Sequence, residues 1–158
     1  MSEWKTYRLG EISEDIAYGY TASANTNKIG PKFLRITDIQ EDFINWNNVP
    51  YCSISAENYR KYRLEIGDII IARTGASTGT TAIYKDENVD AVFASYLIRF
   101  KIDKLKSNPY FIGHILKSQM WKNYVGSIIG GSAQPGANAK QFADFELNLP
   151  DLNTQSQI

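Results

Sequence analysis

The sequence feature that most constrains the fold is an uninterrupted apolar run between two turns. Ile69-Ile70-Ile71-Ala72 follows Gly67-Asp68 and precedes Arg73-Thr74-Gly75. A strand that is solvated on one face alternates apolar and polar residues, so a continuous β-branched run between glycines is typical of a strand covered on both faces. The run therefore predicts a central strand. Residues 76–80 contain small hydroxyl residues and glycine, which predict a hairpin connection to a partner strand over residues 81–84.

Two further segments have the composition of strands. Residues 33–39 mix β-branched and aromatic residues over a strand's length. Residues 91–100 are apolar on both alternating faces, which predicts another strand covered on both sides. Before them, residues 4–12 end in a predicted short helix or turn, and the polar residues 22–30 are typical of a loop.

Two helix starts can be located from their capping residues. Ser55 is the predicted N-cap of a short helix that continues through Tyr62. Asn108 followed by Pro109 predicts the cap and first residue of an amphipathic helix. The apolar stripe of this second helix repeats along one face, at Ile112, Leu116, Met120 and Tyr124.

The C-terminal part is predicted to contain a loop, a short helix and a closing segment. Residues 126–136 include four glycines and predict the loop. Asn138 and Gln141 have the spacing of a capping box for the short helix. Residues 147–150 close the domain, and residues 151–158 begin another helix that stops within its first turns, so we expect the chain to be a fragment.

The order of these elements predicts an α+β fold. The strands and helices do not alternate regularly enough for a doubly wound parallel sheet, and 158 residues are enough for one core. We expect a single globular domain over residues 1–150, with a mixed, largely antiparallel twisted β-sheet and a few flanking helices. Residues 151–158 are expected to start a connecting helix.

Charge and cysteine content narrow the classes of function. Lys+Arg and Asp+Glu both total 17, so the net charge is zero and the basic excess of many free-standing nucleic-acid binders is missing. Residues 60–63 and 101–106 are candidates for a local basic face, although solvated surface charge is the simpler explanation of each run. The single cysteine, the missing leader and the missing long apolar stretch predict a cytoplasmic location without membrane contact.

The residues that enzymes and metal sites require are scarce. His114 is the only histidine and is interpreted as a structural or surface residue, and Cys52 as a packing residue, so the two make no metal set. The chain has no lysine-bearing phosphate loop, nucleophile elbow or dinucleotide-binding glycine motif. Residues 107–111 are similar to the motif with which amino-methyltransferases hold a flipped base, but a helix start explains them. We predict no catalytic residue, no metal and no cofactor.

The order of several short motifs resembles a known family over nearly the whole chain. These motifs are Trp4 with Leu9-Gly10-Glu11-Ile12, Phe33-Leu34-Arg35-Ile36-Thr37-Asp38-Ile39, Leu64-x-x-Gly67-Asp68-Ile69-Ile70, Arg73-x-Gly75 with Gly79, Ala94-Ser95-Tyr96-Leu97-Ile98-Arg99-Phe100, Gly131-Ser132-x-Gln134, and Leu149-Pro150-x-Leu152-x-x-Gln155-x-x-Ile158. In this order they are similar to the target recognition domain of type I restriction-modification specificity subunits.

This resemblance implies double-stranded DNA as the partner and a division of labour among subunits. The family's subunit carries two such domains, or one domain in a half-length chain that pairs with itself, and antiparallel helices hold the domains apart. Each domain reads half of a split target. Separate methyltransferase subunits bind S-adenosylmethionine and modify adenine, and a separate motor-nuclease (restriction) subunit cleaves unmodified DNA.

Two loops carry the side chains that we expect to contact DNA. Base reading requires donors and acceptors that reach base edges from a rigid support, and glycine-bounded loops allow close approach. The first set lies in the turn after the central strand and comprises Arg73, Thr74, Ser77 and Thr78. The second set comprises Ser132, Gln134, Asn138 and Lys140, although helix capping could occupy Asn138 entirely. A third, weaker set comprises Tyr20, Lys28 and Lys32.

Other classes of function remain open at this stage. The turn at residues 73–78 could be an ordinary hairpin. A protein-interaction module with an aromatic surface would bind its partner without the steep salt dependence that phosphate contacts impose. A remnant methyltransferase or a nuclease is a third alternative, which S-adenosylmethionine binding or cleavage in magnesium would reveal.

Overall fold

A computed structural model describes residues 3–39, 43–85, 88–131 and 133–157. The strands in this part are β1 Lys5–Arg8, β2 Ser13–Tyr18, β3 Lys32–Leu34, β4 Ile69–Ala72, β5 Thr81–Ile83, β6 Ala91–Phe93, β7 Leu97–Ile102 and β8 Glu146–Leu149. The α-helices are α1 Ala56–Tyr62, α2 Pro109–Ile115, α3 Gln119–Ile129, α4 Ala139–Ala143 and α5 Leu152–Gln155. Short 3-10 turns cover Leu9–Ile12, Ile36–Asp38, Trp46–Asn48 and Gly75–Ser77.

The strands form a four-stranded antiparallel sheet and two small two-stranded sheets. The order in the large sheet is β2-β7-β4-β5, while β1 pairs with β8 antiparallel and β3 pairs with β6 in parallel. The predicted α+β class with mixed, largely antiparallel pairing is confirmed. Two small ladders accompany the main sheet, because β3 pairs with β6 and β1 pairs with β8.

The apolar run is a central strand, as predicted. Strand β4 lies between β7 and β5, and all of its residues are buried. Its alternating side chains enter two different cores: Ile69 and Ile71 pack with Trp121 and Phe145, whereas Ile70 and Ala72 pack in the core that contains Phe93. Both faces of β4 are therefore covered, which explains why its sequence does not alternate.

The segment at residues 33–39 is shorter as a strand than predicted. Strand β3 ends at Leu34, and a 3-10 turn follows over Ile36–Asp38. The buried Asp38 carboxylate accepts from the Arg35 backbone N–H at 2.9 Å and from the Arg35 guanidinium at 3.0 Å. These local bonds satisfy the backbone without a partner strand, so the β-branched composition does not decide the conformation.

The segment at residues 91–100 contains two strands where one is predicted. Strand β6 pairs with β3, whereas β7 lies in the middle of the large sheet between β2 and β4. The chain turns between them at residues 94–96, where the Leu97 N–H donates to the Ala94 carbonyl at 3.0 Å. Both strands are largely buried, so the predicted burial is confirmed and only the continuity is wrong.

The amphipathic helix is broken into α2 and α3. The break lies at Ser118, whose side chain caps α3 by accepting from the Trp121 N–H. Leu116 belongs to the main core and Tyr124 packs against it, but Met120 is 51% exposed because α3 starts a new stripe. Helix α3 also continues to Ile129, into the segment predicted as a loop.

The predicted caps are confirmed at the side-chain level. Ser55 accepts from Asn58 N–H, Asn108 accepts from Tyr110 N–H, and Asn138 and Gln141 form a reciprocal capping box. Residues 151–157 add the short helix α5.

Two side-chain hydrogen bonds of one glutamine hold the C-terminal helix α5 against the rest of the chain. Gln155 is buried, and its Oε1 accepts from the Asn108 N–H at 2.9 Å while its Nε2 donates to the Pro150 carbonyl at 3.0 Å. The direction in which α5 starts is therefore fixed by α2. A domain boundary at residue 150 stays a prediction.

Gly79 is required for close packing of the β4–β5 turn. Its φ is +90°, and a Cβ added there would lie 2.7 Å from Val125 Cγ1. We expect Gly79→Ala to lower the free energy of unfolding by about 2 kcal/mol, because strain and overpacking add. Gly75→Ala is the matched control, since φ is +71° but no atom lies within 4 Å of the added Cβ. Urea unfolding should show a loss of about 1 kcal/mol there, and equal losses would contradict the packing argument.

Candidate nucleic-acid interface

Three side chains converge at one end of the large sheet. Strand β2 ends at Tyr18, opposite Ile98, and β4 ends opposite Leu97, so the residues that follow or precede these ends meet there. Arg73 follows β4, and its backbone N–H donates to the Tyr96 carbonyl at 3.0 Å. The register of the sheet thus places Tyr18, Arg73 and Tyr96 together.

The guanidinium of Arg73 is held on several sides. Its Nε donates to the Ser95 carbonyl at 2.8 Å. Its Cζ lies 5.2 Å from the centroid of the Tyr18 ring and 5.5 Å from that of Tyr96, which is within cation–π range. The Tyr18 hydroxyl accepts from the Ala139 N–H at 2.9 Å, which links this cluster to the start of α4.

The loop that carries the first set of predicted site residues meets the loop that carries Gln134 and Asn138 of the second set. The backbone bridges Thr74 to Gly136, the Gly75 N–H donates to the Pro135 carbonyl at 2.9 Å, and the Ala137 N–H donates to the Arg73 carbonyl at 2.9 Å. We call this the Arg73 surface; it comprises Tyr18, residues 73–78, residues 94–96 and residues 133–139. Sequence spacing gives no sign that these loops meet.

The hydroxyl residues of the first set share the turn that follows β4. Thr74, Ser77 and Thr78 are all half-buried. The Thr78 hydroxyl donates to the Gly75 carbonyl at 2.6 Å, and the Thr80 N–H donates to the Ser77 carbonyl at 2.9 Å. These bonds give the predicted hairpin connection a fixed 3-10 shape.

The residues of the second set differ in the contacts that they make. Gln134 is exposed on the loop, while Asn138 uses its side-chain oxygen to accept from the Gln141 N–H at 2.9 Å. Lys140 is 80% exposed and forms an ion pair with Asp144 at 3.1 Å, which contributes little at such exposure. Ser132 lies outside the described residues.

Of the third set, Tyr20 is joined to the Arg73 surface through its backbone bridge with Ala94. Lys32 Nζ donates to the Val49 carbonyl at 2.9 Å and lies 4.4 Å from the centroid of the Tyr51 ring. Tyr20 packs against Tyr62 with ring centroids 5.3 Å apart, and Lys28 is exposed on the preceding loop. The ammonium group of Lys32 therefore has an internal role, and the structure does not join Lys28 or Lys32 to the Arg73 surface.

Sequence reasoning missed two residues of this surface. Tyr18 is 43% exposed and Tyr96 is 57% exposed, although Tyr96 lies within a segment predicted to be buried on both faces. The available signal was the pair Ser95-Tyr96, the only polar break in that apolar segment before Arg99. A turn at this pair would have exposed the ring.

The two basic runs do not form a basic face at this end. Lys101 forms an ion pair with Asp68 at 2.8 Å, and Lys106 Nζ donates to the Glu11 carbonyl at 3.2 Å. Because β7 runs away from Tyr96 toward residue 102, these lysines lie at the opposite end of the sheet. Arg63, in the other run, lies 3.8 Å from Glu65.

The groups that could support catalysis are dispersed. Across residues 3–39, 43–85, 88–131 and 133–157, no group of three or more His, Cys, Asp or Glu side chains is arranged to hold a metal ion. Cys52 is fully buried, and burial raises the pKa of its thiol. His114 is exposed on α2. Within the same described ranges, none of the helices has the length and apolarity to cross a membrane.

Comparison with known proteins decides the family. The model of the type I restriction modification DNA specificity domain matches residues 1–158. The chain belongs to this family. This specificity domain is 31% identical over 160 residues to the MjaX specificity subunit of Methanocaldococcus jannaschii, covering 99% of the chain and 38% of that subunit. It is 21% identical over 162 residues to the EcoKI specificity subunit of Escherichia coli K12, covering 99% of the chain and 35% of that subunit.

Solved structures show the same fold at low identity. The specificity domain superimposes on the HsdS subunit from Thermoanaerobacter tengcongensis with a TM-score of 0.67 at 20% identity, covering 98% of this chain and 35% of that one. A chain from a structural study of type I R-M system assembly gives 0.73 at 17% identity, covering 98% and 36%. The chain thus spans between 35% and 38% of the length of these relatives.

Proposed function

We propose that this specificity domain reads one half of a split double-stranded DNA target and has no catalytic activity of its own. The observation that supports this most directly is the convergence of two polar loops on Arg73 at one end of a buried sheet. Base reading needs donors and acceptors held in fixed positions, and a rigid sheet that projects a narrow loop can enter a major groove about 12 Å wide.

The residues of the Arg73 surface divide into readers and supports. Arg73 and Gln134 are the proposed base readers, because guanidinium and amide groups make bidentate bonds to base edges. Thr74 and Ser77 add hydroxyls that bond to bases or phosphates. The Thr78 hydroxyl donates its proton to the Gly75 carbonyl and therefore acts as an acceptor for a base donor.

Asn138 and Lys140, which follow the second loop, are proposed to support base reading. Asn138 supports α4 through its capping box, and the exposed Lys140 contacts a phosphate at the edge of the surface. Ser132 stays a candidate with the rest of the second set, and Tyr20, Lys28 and Lys32 are retained as weaker candidates for DNA contact.

The neutral charge has a consequence for this proposal. Counterion release by Lys and Arg supplies most of the non-specific affinity for DNA, and here Lys32 and Lys101 are both engaged in internal contacts. The domain should therefore bind weakly alone and tightly only in an assembly that adds phosphate contacts.

The proposed assembly follows from the family. The partners are methyltransferase subunits, which bind S-adenosylmethionine, and a restriction subunit, together with a second recognition domain or a second copy reached through the helix that α5 begins. The specificity domain itself needs no cofactor, and the assembly acts on DNA in the cytoplasm.

The test is selection of bound duplexes from a random library at low salt, with two copies of residues 1–158 joined through a helical linker. We expect one short motif to be enriched and its affinity to fall steeply as salt rises. Gln134→Ala should relax preference at one position by about 1–3 kcal/mol. Lys104→Ala is the matched control, because Lys104 is exposed at the opposite end of the sheet.

Three outcomes would contradict the proposal. Absence of an enriched motif, together with salt-independent binding of a protein partner, would favour an interaction module built on the exposed tyrosines. Binding of S-adenosylmethionine by the chain alone would favour a methyltransferase remnant. Cleavage of DNA in magnesium would favour a nuclease.

A further inference from the structure

We infer that Arg73 recognises a guanine, so that the half-site contains a G·C pair read in the major groove. This inference rests on the proposed function and adds to it the base that one residue selects. In the major groove guanine presents O6 and N7 as two neighbouring acceptors, and an arginine fork that donates to both is the commonest specific contact to a base.

The three guanidinium nitrogens of Arg73 differ in their hydrogen bonds. Its Nε donates to the Ser95 carbonyl at 2.8 Å. In the described part of the chain the two terminal nitrogens, Nη1 and Nη2, have no hydrogen-bond partner within the protein. The guanidinium carries five N–H donors in one plane, so the terminal nitrogens still offer the fork that matches O6 and N7.

The two tyrosines fix the position of that fork. With the Tyr18 and Tyr96 ring centroids 5.2 Å and 5.5 Å from Cζ, the guanidinium has little freedom to rotate. The Tyr18 ring is held in turn by the hydrogen bond from Ala139 N–H. A side chain ordered before binding loses less conformational entropy on binding, and its fixed direction discriminates between bases.

The charge pattern favours a base over a phosphate as the partner. Across residues 73–78, 94–96 and 133–139, Arg73 is the only charged residue. A protein surface that follows the phosphate backbone of DNA is usually lined by several cations, and these cations need no fixed orientation. A single arginine, held on a neutral surface and pinned at Nε, has the features of a base reader.

The experiment uses residues 1–158 immobilised at high density, so that weakly bound duplexes are retained from a random library at low salt. The enriched duplex is then varied base by base and carries 7-deazaguanine, which lacks the N7 acceptor, at each guanine. We expect a preference for guanine at one position of roughly ten- to a hundredfold. Replacement of that guanine by 7-deazaguanine should weaken the wild-type chain and leave Arg73→Ala unaffected.

Arg73→Lys separates base reading from charge, because it keeps the cation and removes the fork. We expect it to weaken the guanine preference at that one position, because a lysine can still donate to O6 and N7 but lacks the oriented planar fork. The other positions and the salt dependence should be unchanged. Arg60→Lys, an exposed arginine on α1, is the matched control and should change nothing. Each variant is assayed at a temperature below its own thermal unfolding transition, so that folded chains are compared.

The outcomes distinguish this inference from the function on which it rests. If Arg73→Lys keeps every base preference and Arg73→Ala weakens all duplexes alike, with a salt slope smaller by about one phosphate contact, Arg73 binds a phosphate and the inference is wrong. If the wild-type chain enriches a motif without a guanine that depends on Arg73, the inference also fails while the proposed function stands. If no motif is enriched, the proposed function itself fails.

Discussion

Replacement of Trp121 by alanine should lower the free energy of unfolding by about 3–5 kcal/mol, the range for truncation of a large buried aromatic. Trp121 is 1% exposed, and its ring lies 5.6 Å from Phe142 and 4.9 Å from Phe145 between centroids. Its Nε1 donates to the Gly79 carbonyl at 2.8 Å. The substitution therefore removes packing and leaves a buried carbonyl without its donor.

The position of Trp121 connects stability to the Arg73 surface. Gly79 belongs to the turn after β4, and Phe142 belongs to α4, so the indole contacts the supports of both converging loops. Trp121→Phe keeps most of the ring and loses the hydrogen bond. We expect it to cost about 1–2 kcal/mol and to weaken DNA preference without unfolding the chain.

The measurement is urea unfolding followed by circular dichroism. Trp4→Ala is the matched control, because Trp4 is 54% exposed and should change stability by less than about 0.5 kcal/mol. A loss of under 1 kcal/mol for Trp121→Ala would show that the three aromatic rings do not form a single packed unit.

Lys101→Met should destabilise the chain by about 3 kcal/mol, because it leaves the Asp68 carboxylate buried without its cation. The Asp68 side chain is 2% exposed and that of Lys101 is 20% exposed, with Nζ 2.8 Å from Oδ1. Glu65 lies 3.8 Å from the same ammonium but is 56% exposed, so it offers little compensation.

A second substitution tests whether the uncompensated charge is the cause. The Asp68 carboxylate also accepts from the Glu65 N–H at 2.9 Å, and an asparagine can keep that bond without a charge. The double variant Lys101→Met with Asp68→Asn should therefore regain most of the lost stability in urea unfolding. If the double variant is as unstable as Lys101→Met, the loss comes from packing of the lysine stem instead.

The same pair offers a check on the functional geometry. Lys101 and Asp68 bind β7 to the start of β4, at the end of the sheet away from Arg73. At urea concentrations below its unfolding midpoint, the Lys101→Met variant should have the same base preferences as the wild type.

Local chemistry was sufficient to predict much of the fold. The run at residues 69–72 was assigned as a central strand because only burial on both faces explains its lack of alternation. The helix caps at Ser55, Asn108 and Asn138 were located because each side chain satisfies a backbone donor of its own segment. Such interactions lie within a few residues, so the sequence contains all of their partners.

The errors arose where a turn or a distant partner ends an element and periodicity does not show it. Residues 33–39 and 91–100 have strand composition throughout, but β3 and β6 pair with each other and leave only short strands on either side of turns. The stripe through Met120 continues in sequence across Ser118, yet the cap there starts a new helix. Periodicity alone does not distinguish one long element from two that meet at a turn.

The candidate site could likewise be predicted only in part from the sequence. Arg73, Thr74 and Gln134 could be selected because they are polar residues in loops bounded by glycine. The sequence could not show that the two loops touch or that two tyrosines hold Arg73. Nor could it show that the Lys32 ammonium donates to the Val49 carbonyl and lies over the Tyr51 ring.

The sequence by itself determined the class of fold, the central strand, the helix caps and the family, because turn chemistry, burial patterning and motif order are written in neighbouring residues. Only the tertiary structure decided which loops form one surface. The register of β2, β7 and β4 places Tyr18, Tyr96 and Arg73 at the same sheet end, and that register depends on cross-strand hydrogen bonds between segments far apart in the chain.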